Sequence, residues 1–159
     1  SAYDIQKLVE YRNISKWVKI STPSIYKKVI QLEEKGLINS VTMKEGKMPE
    51  KAAYSLTEAG ERQFEKLMME IAGKPIHIFL DFNAVIVNLD SLPADKQKSC
   101  LANIEENVAK LKSYLQENIL AKENVPEIPE TGMAVLHQQL ILAQAIETWI
   151  TSVKARLEN

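Results

Sequence analysis

The sequence predicts a mainly α-helical protein with a small β-hairpin, in two parts: an N-terminal domain over residues 1–73 and a helical C-terminal domain over residues 74–159. Three observations lead there. Through most of the chain, apolar residues recur at three- and four-residue intervals, the period of a helix with one buried face. Around residues 37–56 that period gives way to two short runs flanking Glu45-Gly46-Lys47-Met48-Pro49, the pattern of a hairpin. Charge divides as well: residues 1–56 hold 10 Lys and Arg against 6 Asp and Glu, whereas residues 57–159 hold 10 against 15.

Each element has a local cause. Ser1-Ala2-Tyr3-Asp4 reads as a capping box opening a helix to about Tyr11, with Ile5, Leu8 and Val9 at helical spacing and Tyr3 and Lys7 on its flanks. Ser21-Thr22-Pro23 offers an N-cap and a first-turn proline for a second helix that ends at Gly36. Its Ile25, Val29 and Leu32 form the buried stripe, leaving Ser24, Lys27, Lys28 and Gln31 on the opposite face. A strand begins at Leu37-Ile38 and returns through Ala53-Tyr54-Ser55-Leu56. Thr57-Glu58 starts a third helix, with Phe64, Leu67, Met68 and Ile71 at i, i+3, i+4 and i+7, and Gly73-Lys74-Pro75 ends it.

The C-terminal part reads as helical throughout. A first helical segment is expected from Ile76 to Leu89, and Pro93 opens a second whose Leu101, Ile104, Val108, Leu111, Leu115 and Ile119 make a narrow seam for one partner helix. After a loop over residues 122–132, a last helix carries Leu136, Leu140, Ala143, Ile146, Trp149, Ile150, Val153 and Leu157. These span more than one stripe, so they are expected to face a second copy of the chain, making this a dimerisation domain.

Composition narrows the function classes. A charged content of 26%, net charge of -1 and mean hydropathy of -0.19 are ordinary for a soluble protein. A single cysteine, Cys100, allows no internal disulfide and fits a reducing compartment, so the expected location is cytoplasmic. The apolar stretch at Ile76–Leu89 is too short and polar to span a membrane. His77 and His137 have no neighbouring ligands at metal spacing, and all five glycines sit at ends of elements or in turns. No catalytic residues, metal site or cofactor are therefore expected.

Helix, helix, hairpin, helix is the order of a winged helix-turn-helix domain, whose second helix enters the major groove N-terminus first. Thr22, Ser24 and Gln31 are types that address base edges, Lys27 and Lys28 are types that hold phosphates, and Tyr26 either offers its hydroxyl to a phosphate or packs on the wing. Lys44 and Lys47 at the hairpin tip are candidates for backbone or minor-groove contact. Trp17 and Trp149 suit an effector pocket, although packing accounts for both, and Cys100 reads as a small buried hydrophobe.

Ser21 to Ile38, with its Ser24-Ile25-Tyr26, Leu32-Glu33 and Gly36-Leu37-Ile38, resembles the PadR family of transcription regulators. Tyr3-Asp4-Ile5 and Tyr54 to Gly60 are similar to further segments of that family, while Trp149 and the Arg156-Leu157-Glu158 ending resemble its subfamily with the larger, multi-helix C-terminal domain. The resemblance implies a bacterial DNA-binding regulator, more often a repressor, acting as a homodimer on a palindromic double-stranded DNA operator, with a small-molecule effector as a further partner. Ala2 stands where the family has glycine. The family's first helix has no counterpart ahead of Ser1, which implies less cover for Ile5, Leu8 and Val9. Two other readings stay open: a winged-helix module used only for protein–protein contact, and a MarR-like ligand-responsive regulator, whose dimer helices would flank the winged domain on both sides.

Overall fold

The computed structural model describes residues 1–20, 24–44, 46 and 50–157. The chain forms two units, Ser1–His77 and Ile78–Asn159.

In the first unit, α1 covers Ala2–Tyr11. Ser1 Oγ accepts the Asp4 amide at 3.3 Å and the Asp4 carboxylate accepts from the Ser1 nitrogen, completing the expected capping box. A 3-10 turn over Ile14–Lys16 leads to α2, Ser24–Glu34. Beyond α2, Gly36 adopts φ +68 and donates to Glu33 O at 2.8 Å, while Leu37 donates to Leu32 O at 2.9 Å. That is a Schellman ending, and the left-handed position requires a residue without Cβ strain. Strands β1 (Ile38–Met43) and β2 (Lys51–Leu56) pair antiparallel, with Ile38 opposite Leu56 and Val41 opposite Ala53. Buried Ile25, Val29 and Ile38 form the core, covered by Ala2, Val9, Leu32 and Tyr54.

Helix α3, Glu58–Ala72, starts at a tight junction. Thr57 Oγ1 accepts from Gly60 N at 3.0 Å and donates to Gly36 O at 2.7 Å, and Thr57 N donates to Leu37 O at 3.1 Å. Thr57 thereby ties the end of the hairpin to the end of α2.

The second unit departs from expectation at its start. Residues 75–80 are not helical, and only α4, Asn83–Val87, and a 3-10 turn over Leu89–Ser91 form where one helix over Ile76–Leu89 is expected. The Asn88 side chain donates to Ala84 O at 2.7 Å, a side-chain bond to the backbone at the end of α4, which closes after little more than a turn. Helices α5 (Ala94–Lys122) and α6 (Glu130–Leu157) pack as an antiparallel pair. Lys112–Glu147 at 2.8 Å and Lys154–Glu105 at 3.2 Å fix their register. Helix α6 begins within the expected loop, so the connection is residues 123–129. Leu101, Ile104, Val108, Leu115 and Ile119 are buried as a seam should be, but Leu111 is exposed.

Helix α6 requires a correction. Ala143 and Ile150 are 1% and 0% exposed within the single chain, and Ile146 and Val153 pack partly on the same core, so these are not free faces for a second copy. Antiparallel helices of nearly equal length bury a full stripe of each against the other, and α4 adds cover through Phe82, Val85 and Ile86. Leu136 and Leu140 are half-buried. Of the residues assigned to the dimer, only Trp149 and Leu157 are exposed, while Ile141 and Leu142, which were not assigned, are more exposed than Trp149.

Candidate nucleic-acid interface

Helix α2 is buried along Ile25, Val29 and Leu32, at i, i+4 and i+7, so the remaining faces are fixed by helical geometry. Ser24, Lys28 and Gln31 share the strip on one side of that buried stripe, and Tyr26, Ile30 and Glu33 share the strip on the other. Lys27 lies between them on the outermost face. Ser24, Tyr26, Lys27 and Lys28 are exposed; Gln31 is half-buried, which limits its rotamers without hiding it. Lys44 is exposed just beyond β1. Thr22 and Lys47, with the Ser21-Thr22-Pro23 start of the helix, lie outside the described residues.

Helix α1 adds a group that the sequence pattern does not single out. The Lys7 ammonium lies 5.5 Å from the Tyr3 ring centroid and 3.0 Å from Glu10 Oε2. Hydrogen bonding to Glu10 raises Lys7 above the usual lysine range, while Gln6 and then Lys7 hold Glu10 below the usual carboxylate range. The signal was the i, i+4 and i, i+3 spacing of Tyr3, Lys7 and Glu10, but such trios are common on solvated helices.

Other candidates have plain structural roles. Trp149 stacks on Phe82 with centroids 5.5 Å apart and planes 21° apart, as packing predicts. Trp17, expected to be buried, is exposed after the 3-10 turn. Cys100 is half-buried against the core around Leu101. Among the described residues no group of three or more His, Cys, Asp and Glu could hold a metal, and no helix is long and apolar enough to cross a membrane.

Residues 2–66 match the Transcriptional regulator PadR-like family. Among solved structures, the chain is similar to Bacillus subtilis PadR in complex with operator DNA, at 19% identity and TM-score 0.82 over 99% of this chain and 90% of that one. It is also similar to the Vibrio cholerae virulence activator AphA, at 23% identity and TM-score 0.71 over 99% and 89%. A third likeness is to the PadR-like transcriptional regulator BC1756 from Bacillus cereus, at 19% identity and TM-score 0.65 over 99% and 87%. No curated protein sequence matches the chain.

Proposed function

We propose that the chain, whose residues 2–66 match the PadR-like family of transcriptional regulators, is a regulator of that kind and binds a palindromic operator in double-stranded DNA as a homodimer. The observation that carries the reading is α2. A helix whose inner stripe anchors the domain core presents Ser24, Lys27, Lys28 and Gln31 outward, ahead of a hairpin whose end holds Lys44. Short hydroxyls and an amide near base edges, with ammonium groups toward phosphates, suit direct readout in a major groove. The solved complex of Bacillus subtilis PadR with operator DNA supports the same use of this fold.

Dimer formation follows from the apolar surface that one chain leaves open. Ile141, Leu142 and Trp149 on α6 and Leu111 on α5 are exposed, and Leu142 continues the strip of Ile146 and Val153. Burying a few such side chains contributes about 1.5 to 3 kcal/mol each, enough in sum to offset the entropy of association. Two recognition helices then meet successive major grooves, which calls for half-sites about one helical turn apart.

Selection of bound genomic fragments, followed by titration of the selected duplex over a range of salt, tests the first claim. Affinity should fall steeply, with a slope of about -0.9 in log K against log salt per phosphate neutralised. A flat salt response, or no fragment retained, would end the DNA-binding reading. Sedimentation equilibrium tests the second: a monomer at micromolar concentration would remove both the dimer and the palindrome.

A further inference from the structure

Apolar burial anchors the hairpin at its base. In β1, Ile38 is buried and every residue after it is exposed, so burial does not hold the strand along its length. Side chains alternate across a strand, which puts Ser40 on the same face as Ile38, the face turned toward the core. It stands opposite Tyr54, which packs on that core from β2. From this position the Ser40 hydroxyl donates to Glu33 Oε1 in the last turn of α2.

We infer that Glu33 and Ser40 are positioning residues for DNA binding: their hydrogen bond sets the angle between the hairpin and α2, so that Lys44 arrives at a phosphate while α2 lies in the groove. This rests on the reading of α2 and the hairpin as the DNA-contacting elements. The lever is long. From Ile38 to Lys44 the strand advances about 20 Å, so a tilt of about 10° at Ile38 moves the Lys44 backbone by about 3.5 Å, more than the length of a hydrogen bond. The α2 end of the bond is itself fixed, since Glu33 O accepts from Gly36 N at 2.8 Å and Leu32 O accepts from Leu37 N at 2.9 Å. Glu33 also places a negative charge on a helix proposed to meet phosphates, which lowers affinity unless the carboxylate has another task. Holding the hairpin in its bound orientation beforehand is such a task, because it reduces the entropy lost on binding. Both side chains are exposed, so removing the bond leaves no buried polar group unsatisfied and barely affects folding.

The test uses the intact chain and its selected duplex. Ser40→Ala should weaken binding about two- to tenfold, the equivalent of one hydrogen bond's net free energy, while Ser40→Thr, which keeps the hydroxyl, should bind as wild type does. Glu33→Gln keeps an acceptor without the charge and should bind at least as tightly as wild type. Glu33→Ala, equally neutral but without the acceptor, should bind about two- to tenfold more weakly than Glu33→Gln. Adding Ser40→Ala to Glu33→Ala should cost nothing further. Lys44→Gln should weaken binding more in the wild-type background than alongside Ser40→Ala, a coupling that a merely structural bond would not produce. Circular dichroism and thermal unfolding of each variant should match wild type. Ser40→Ala at wild-type affinity would overturn the inference. So would Glu33→Ala binding as tightly as Glu33→Gln, or effects of Ser40→Ala and Lys44→Gln that simply add. A wild-type chain that retains no duplex would remove the DNA-binding reading and this inference with it, whereas tight binding indifferent to Ser40 removes the inference alone.

Discussion

Replacing Gly60 with alanine sets two principles against each other. Gly60 lies in the first turn of α3, where alanine is favoured over glycine by up to about 1 kcal/mol, so propensity alone predicts a stabilising change. The tertiary contact predicts the reverse. A Cβ at Gly60 would stand 1.9 Å from Leu37 O and 3.0 Å from Leu37 C, against an acceptable separation of at least 3.0 Å from any heavy atom. The carbonyl cannot simply retreat, because it accepts from Thr57 N at 3.1 Å, and the Leu37 amide is committed to Leu32 O at 2.9 Å. Overpacking costs about 1 to 3 kcal/mol, and a strained or broken hydrogen bond adds about 1 kcal/mol. Net of the propensity gain, the loss should be about 2 kcal/mol, which for a unit of this size lowers Tm by about 8 to 16 °C. Thermal unfolding followed by circular dichroism, with urea titration for the free energy, measures it. A Tm at or above wild type would refute the reasoning, since it would mean that α3 and the end of α2 are not held at this distance.

Further substitutions probe other parts of the structure. Gly36→Ala should cost about 1 kcal/mol, because its φ of +68 strains any side chain even though open space surrounds it; urea midpoints at constant slope would show this. Ile150→Ala, at a fully buried site, should destabilise the second unit by about 2 to 5 kcal/mol, and a loss under about 1 kcal/mol would mean that the α5–α6 seam is looser than described. Gln31→Ala should alter preference at single base positions while Lys28→Ala weakens all sequences alike, and an unchanged ranking of operator variants would remove Gln31 as a base reader. Leu142→Glu should shift the intact chain toward monomer in sedimentation equilibrium and weaken operator binding; a fully dimeric variant would place the interface elsewhere.

Much of the first unit was legible because its determinants are local. Ser1 and Asp4 close a capping box, Gly36 ends a helix left-handed, and Thr57 starts one, each through hydrogen bonds spanning only a few residues. The outward residues of α2 were legible by the same route, since Ile25, Val29 and Leu32 fix the buried face and thereby the exposed ones. The stretch at Ile76–Leu89 was misread because hydropathy alone suggested one helix, whereas residues 75–80 are not helical and the Asn88 side chain bonds back to Ala84 O where the short α4 ends.

The sequence by itself determined the order of elements, most of their ends and the outward face of α2, because caps, turns and a single amphipathic stripe are written in neighbouring residues. Only the tertiary structure decided how the broad apolar surface of α6 is divided, placing Ala143 and Ile150 against α5 and leaving Ile141 and Leu142 open. It alone pressed the backbone of Gly60 onto Leu37. Periodicity states that a side chain seeks burial and not which neighbour will bury it; that choice depends on contacts between residues far apart in the chain, settled when the helices pack.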